Sequence, residues 1–223
     1  MSKSSIKIGG SVGGNVVAGD GNVVGPAAAP SAARPAAPKD GMTPRLGFVV
    51  DIIGFGQRSD GEDKVDLQRR LADLVGRVLA DLGVEQDDTV GDHAGDEKTV
   101  FLPVGVDSSR MLPTLIAAMA ERLRRDNRRH TDRMRLRMAV GTGLLGNGPL
   151  GFTGDLIVDL HRLVSCDVLR QAAGANPDAD LALLVTHALH DEVIRPGYVD
   201  RDEFVRVDVA IKEFTAVAWL WLG

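Results

Sequence analysis

Two aspartates set the chemical question. Asp51 stands in FVVDIIGFG, after a run of apolar residues that reads as a buried strand and three residues before Gly54. Asp96 stands in GDHAGDEKTVFLP, after Gly95 in a turn and just before a second strand-like run. Asp92 lies four residues upstream of it and Lys98 two residues beyond. A carboxylate at the end of a strand opens into the loop region, where it suits a hard cation whose other faces carry phosphate oxygens. Two such carboxylates on adjacent strands can hold two Mg²⁺ or Mn²⁺ ions, one polarising a nucleophilic hydroxyl and both steadying the charge on a phosphate. The peptide groups from Ile52 through Gly54 to Phe55 would then pass close to those phosphates, Gly54 by lacking a side chain. Lys98, expected on the same face as Asp96, could neutralise a phosphate or the carboxylate itself. Taken singly, each aspartate also fits an ordinary turn or N-cap role.

The elements that must carry these residues follow from periodicity. RLGFVVDIIG has the continuous apolar run and β-branched content of a short buried strand. Leu67, Leu71, Leu74, Val75, Val78 and Leu82 recur at helical spacing up to Gly83, a helix stop. A strand-turn-strand then leads to TVFLPV, and MLPTLIAAMAERLRRDN forms a second amphipathic helix. In RMRLRMAVGTG, Met134, Leu136, Met138 and Val140 alternate with basic residues, as in a half-buried strand. GDLIVDLHRLVSCDVLRQAAG reads as one helix, LALLVT as a strand before a short helix, and FVRVDVAIKEF with TAVAWLWLG as two antiparallel strands. Turn-joined strand pairs among helices predict an α+β fold, helices packed on a mixed sheet. Trp219 and Trp221 share one face of the last strand, as core or interface residues rather than a ligand stack.

The chain divides by composition into three parts. Residues 1–24 form a glycine- and valine-rich tail in which GGNVV returns as DGNVV, fitting either short stacked strands or a flexible segment. Residues 25–43 are a Pro- and Ala-rich linker that can build no core, and 44–223 form the globular domain. A net charge of −5 gives the whole chain no electrostatic case for a nucleic acid. The run ERLRRDNRRHTDRMRLR could be a patch for a polyanion, but lacks aromatics to stack bases and is better read as a charged helix end and strand face. One cysteine, Cys166, and a start without an apolar signal core fit a reducing cytoplasm. No run of about eighteen apolar residues occurs, so no membrane span is expected. Cys166 reads as a small core residue, Asp155 as a first-turn residue, and neither His93 nor His161 has a second histidine or cysteine at ligand spacing.

DIIGFG, GDEKTVFLP, RLRMAVGTG and GDLIVDLHRL, in this order and at these separations, resemble the catalytic domain of class III nucleotidyl cyclases, the adenylyl and guanylyl cyclase family. The resemblance spans roughly residues 45–222. It implies a ferredoxin-like, cyclase-type mixed sheet flanked by helices, with Asp51 and Asp96 as the aspartates for two Mg²⁺ or Mn²⁺ ions. It also implies that Arg162, eight residues past Gly154, stabilises charge on the transferring phosphate, and that Lys212 holds the terminal phosphates. A head-to-tail homodimer follows, the metal aspartates of one copy facing the arginine of the other, with a nucleoside triphosphate as substrate. The departures are equally specific. The ribose-orienting asparagine is Val158, the purine-reading lysine is Asp92, and its partner reader falls on Gly151. Three readings are open: a cyclase with another base preference, a divergent phosphoryl transferase, or a degenerate cyclase-like module for nucleotide sensing or scaffolding.

Overall fold

The structure, a computed structural model, describes residues 41–58, 60–86, 89–149 and 151–223. The expected tail and nearly all of the linker lie outside them. In chain order the elements are β1 (Thr43–Ile52), α1 (Gly61–Asp81), β2 (Val90–Ala94), β3 (Glu97–Phe101), α2 (Ser108–Asn127), β4 (Leu136–Gly148), β5 (Gly151–Thr153), α3 (Asp155–Ser165), α4 (Asp167–Ala175), β6 (Leu181–Thr186), α5 (His187–Leu189), β7 (Val205–Ile211) and β8 (Phe214–Leu222). The fold is α+β. Its sheet runs β2-β3-β1-β4-β6-β8-β7, with β5 hairpinned onto β4. Only the β4–β6 neighbours run parallel.

The sheet is covered on both faces, which is why β1 is buried without interruption from Leu46 to Ile52. Phe48, Val50 and Ile52 join Leu67, Leu71, Leu115 and Met119 in the core under α1 and α2. Val49, Phe101 and Ala139 pack with Leu156, Leu160 and Leu169 under α3 and α4. Burial of each such leucine contributes roughly 1.5–3 kcal/mol. The N-termini of α1 and α2 are fixed by aspartates: Glu62 N–H donates to Asp60 Oδ1 and Ser109 N–H to Asp107 Oδ1, both at 2.9 Å. Gly83, at φ 68°, ends α1 in the left-handed conformation that favours glycine.

The segment read as one helix is two. Cys166 takes an extended conformation between α3 and α4, and its buried Sγ accepts the Leu169 N–H at 3.4 Å. Ser165 Oγ meanwhile donates to the His161 carbonyl at 2.7 Å. The break lets Leu163 and Leu169 reach the same core, which one straight helix could not arrange.

The basic run is largely paired within the chain. Arg124 and Arg125 bind Glu121, Arg122 binds Asp81, Arg133 binds Asp180, and Arg135 donates to the carbonyls of Ala173, Asn176 and Ala179. From α1, buried Arg70 grips Asp126 through two nitrogens, at 2.9 and 2.6 Å. Among the described residues no helix is long and apolar enough to cross a membrane.

Candidate active site

β1 is a central strand, and its register decides what surrounds Asp51. Glu97 of β3 lies opposite Asp51 on one side and Arg137 of β4 on the other. Cross-strand partners share a face, so Glu97, Asp51 and Arg137 form a row on the α3 side of the sheet. Arg137 Nη2 donates to Asp51 Oδ2, while its buried Nε has no protein partner. The two-residue turn of the β2–β3 hairpin carries Asp96, whose carbonyl accepts the Ile52 N–H at 3.2 Å. This bond brings the Asp96 side chain into hydrogen-bonding contact with Asp51.

Asp51 is only 8% exposed. Burial raises its pKa to about 6, Arg137 pulls against that rise, and neighbouring Asp96 adds to it. An acidic pair of this kind is costly when both carboxylates are ionised without a counter-cation. The donor set is all oxygen, which suits a hard divalent cation. The guanidinium beside it, with a buried N–H unpartnered, suits an anionic oxygen. The residues present therefore fit a cation–phosphate ligand.

α3 closes over this row. His161 places Nδ1 2.9 Å from Glu97 Oε1 and Nε2 3.4 Å from Thr99 Oγ1. Beyond β1 the chain turns at Gly54, φ 78°, into a short 3-10 turn (Phe55–Gln57). A Cβ at Gly54 would meet nothing nearer than Gln57 Oε1 at 3.9 Å. Glycine is required there by its left-handed conformation rather than by crowding. Phe55 packs against the α1–α2 core, with Lys64 Nζ 5.9 Å from its ring centre.

The other sequence candidates are distributed. Lys98 pairs with Val50 and so stands on the α1–α2 face, opposite to Asp51; Glu97 takes the position beside the aspartate. Asp92 lies in β2, paired with Thr99. Arg162 is half exposed, lies 4.8 Å from the centre of the Phe214 ring in β8, and is 4.0 Å from Asp159. Lys212 forms the exposed β7–β8 turn at φ 52°, a conformation uncommon outside glycine. Within one chain, then, the carboxylate pair belongs to β1 and its neighbours, whereas the Arg162 guanidinium reaches from α3 toward β8 and Lys212 lies in the β7–β8 turn, β8 being three strands from β1. Val158 is exposed on α3. A cavity of about 480 Å³ opens between α3, β4 and β8, lined by Asp155 and Asp159 among others. Burial raises the Asp159 pKa, against the pull of Arg162.

Sequence reasoning passed over Arg137 and Glu97. Arg137 alternates with apolar residues and so reads as a solvent-facing strand residue, Glu97 reads as part of the hairpin end, and the available signal was register: Arg137 is an arginine inside the strand that neighbours β1.

No protein-family model and no curated protein matches the chain. Solved structures do. The guanylyl cyclase Cya2 superposes with a TM-score of 0.59 at 16% identity, over 82% of this chain and 93% of that one. The adenylyl cyclase CyaB from P. aeruginosa gives 0.55 at 18% identity, over 81% and 94%. The guanylate cyclase domain of RhGC from Catenaria anguillulae, in complex with GTP, gives 0.54 at 12% identity, over 81% and 96%. The mixed sheet with Asp51 on its central strand, its flanking helices and these superpositions make this the fold of a class III adenylyl or guanylyl cyclase catalytic domain.

Proposed function

We propose that the protein binds a nucleoside triphosphate and converts it to a cyclic nucleotide and pyrophosphate. The observation carrying this reading is the Asp51–Asp96 pair, which folding brings together at a cost that a bound cation would offset. Mg²⁺ or Mn²⁺, held by these two carboxylates, would supply charge neutralisation at the phosphates and acidify the ribose 3′-hydroxyl. Arg137 stands where its guanidinium can turn from Asp51 to a phosphate oxygen. The 3′-oxygen bonds to the α-phosphorus as the bond to pyrophosphate breaks. The hydroxyl proton, acidified by the cation, is released to water as the 3′-oxygen attacks. In this reading Arg162 and Lys212 act from a second copy, since within one chain the Arg162 guanidinium lies against Phe214 of β8 and Lys212 lies in the β7–β8 turn. Positioning and charge then supply most of the rate.

The test is to incubate the protein with each of the four ribonucleoside triphosphates and Mg²⁺ or Mn²⁺, and to assay cyclic nucleotide and pyrophosphate by mass spectrometry. Product from one nucleotide, absent with Asp96→Ala, is expected. No product from any nucleotide in a folded, dimeric sample would overturn the reading and favour the alternative of a degenerate nucleotide-sensing or scaffolding module. That alternative draws on Val158, a side chain with no hydrogen bond to offer. Val158→Asn at this exposed helix position should change stability by less than about 0.5 kcal/mol. It should raise turnover by roughly fivefold, since one neutral hydrogen bond contributes about 1 kcal/mol. An unchanged rate would remove the ribose-orienting role from that position.

A further inference from the structure

The segment after β6 reads THALHDEVI, and it does not continue as an ordinary helix. α5 passes into a π-helical turn over His190–Ile194, a distortion often found at functional sites. Three donors meet at this junction, at i, i+3 and i+4: atoms of His187, His190 and Asp191 all lie within 4.8 Å of one another. His190 Nδ1 is 3.0 Å and His187 Nδ1 3.8 Å from the same oxygen, Asp191 Oδ1. The other oxygen, Oδ2, faces Arg195 at 3.7 Å. Trp219 of β8 stacks against both imidazoles, with centroids 3.5 Å from His190 at 9° and 5.3 Å from His187 at 14°. The rings are thus held by an aromatic platform rather than left to rotate.

The geometry points to a second metal site, distinct from the Asp51–Asp96 pair and independent of the cyclase reading: His187, His190 and Asp191 bind one borderline-soft divalent cation of the Zn²⁺, Co²⁺ or Ni²⁺ class. Bonds of roughly 2.0–2.2 Å in a tetrahedral shell place ligand atoms about 3.3 Å apart, and 3.0 and 3.8 Å bracket that spacing. Two imidazoles and one carboxylate select such ions over Mg²⁺, which prefers oxygen ligands. Three protein ligands leave a fourth position for water or an incoming group. His187 also lines the 480 Å³ cavity, so the ion would stand at its rim. Among the described residues this is the one such cluster of histidine, cysteine or carboxylate donors.

The experiment uses the full chain carrying Asp51→Asn and Asp96→Asn, which silence the carboxylate pair. Zn²⁺ is titrated calorimetrically, and Co²⁺ is followed by the visible absorption of a tetrahedral complex. One equivalent should bind, with Mg²⁺ failing to compete. Adding His187→Ala, which removes an exposed side chain, or Asp191→Asn should weaken binding by about 100-fold or more, beyond the range caused by losing an outer-shell partner. Trp219 fluorescence should change on binding only when all three ligands are present. Absence of stoichiometric Zn²⁺ or Co²⁺ binding, or binding that both substitutions leave unchanged, would overturn the assignment.

Discussion

Asp51→Asn should make the cation-free protein melt higher, not lower, at neutral pH, while abolishing turnover. The sign follows from linkage. Burial and Asp96 raise the carboxyl to about 6 despite Arg137. Its stabilising contribution is therefore complete below the unfolded value near 3.8 and disappears as pH rises through 6. At neutral pH the ionised group costs the native state at most about 3 kcal/mol. Solvent near the loop end reduces this to about 1–2 kcal/mol. An amide of the same shape does not ionise, so the variant should gain roughly 3–6 °C. It should also show a flatter stability profile between the two pKa values. Added Mg²⁺ should raise the melting temperature of the parent and leave the variant unmoved. Calorimetry with and without chelator measures all three effects. A variant melting like the parent, with the same Mg²⁺ response, would remove Asp51 from any cation site.

The second large effect is restoration of activity by mixing. Arg162→Ala should lower turnover by about 10²–10³-fold, the loss expected when one charge-stabilising group is removed from a transition state. Asp51→Asn should be equally inactive for a different reason. If the carboxylates of one copy face the arginine of another, mixing the two variants yields dimers in which one of two sites is whole. An equal mixture then contains half mixed dimers and recovers about one quarter of the parent's turnover. Recovery should follow subunit exchange in time. Persistent inactivity after proven exchange would show that Arg162 and Asp51 do not share a site.

What the sequence discloses depends on how local the signal is. The helix spacing of Leu67 through Leu82 and the alternation of Met134 through Val140 are properties of neighbouring residues; α1 appears where its spacing places it, whereas β4 starts at Leu136 and runs through Gly141 and Gly143 to Gly148 instead of ending in the expected glycine turn. The hairpin before Asp96 is legible for the same reason, since Gly95 and Asp96 are turn residues. The break at Cys166 is not, because it depends on a thiol serving as a cap while two helices share one core. Arg137 is missed because its partner is chosen by register between strands far apart in the chain. Lys98 is placed by the same register on the face away from Asp51. The His187–His190–Asp191 cluster is half legible: H-x-x-H-D has the spacing of one helical face, but the Trp219 platform beneath it comes from a strand far along the chain.

The position of β1 has a consequence for how the chain folds. Its flanking partners come late: Arg45 meets Leu102 across 57 residues, and Thr43 meets Leu145 across 102. Both loops must close before the central strand is sheltered, so folding should be slow compared with a helical domain of similar size. During synthesis, the buried run from Leu46 to Ile52 leaves the ribosome well before either neighbour exists. That interval is when an unpaired apolar strand is most exposed to aggregation. Asp51, Asp96 and Arg137 meet only through those same late pairings. The carboxylate pair therefore needs the β1–β3 closure but not β6, β7 or β8, so cation binding there would report pairing of the early strands rather than a finished sheet.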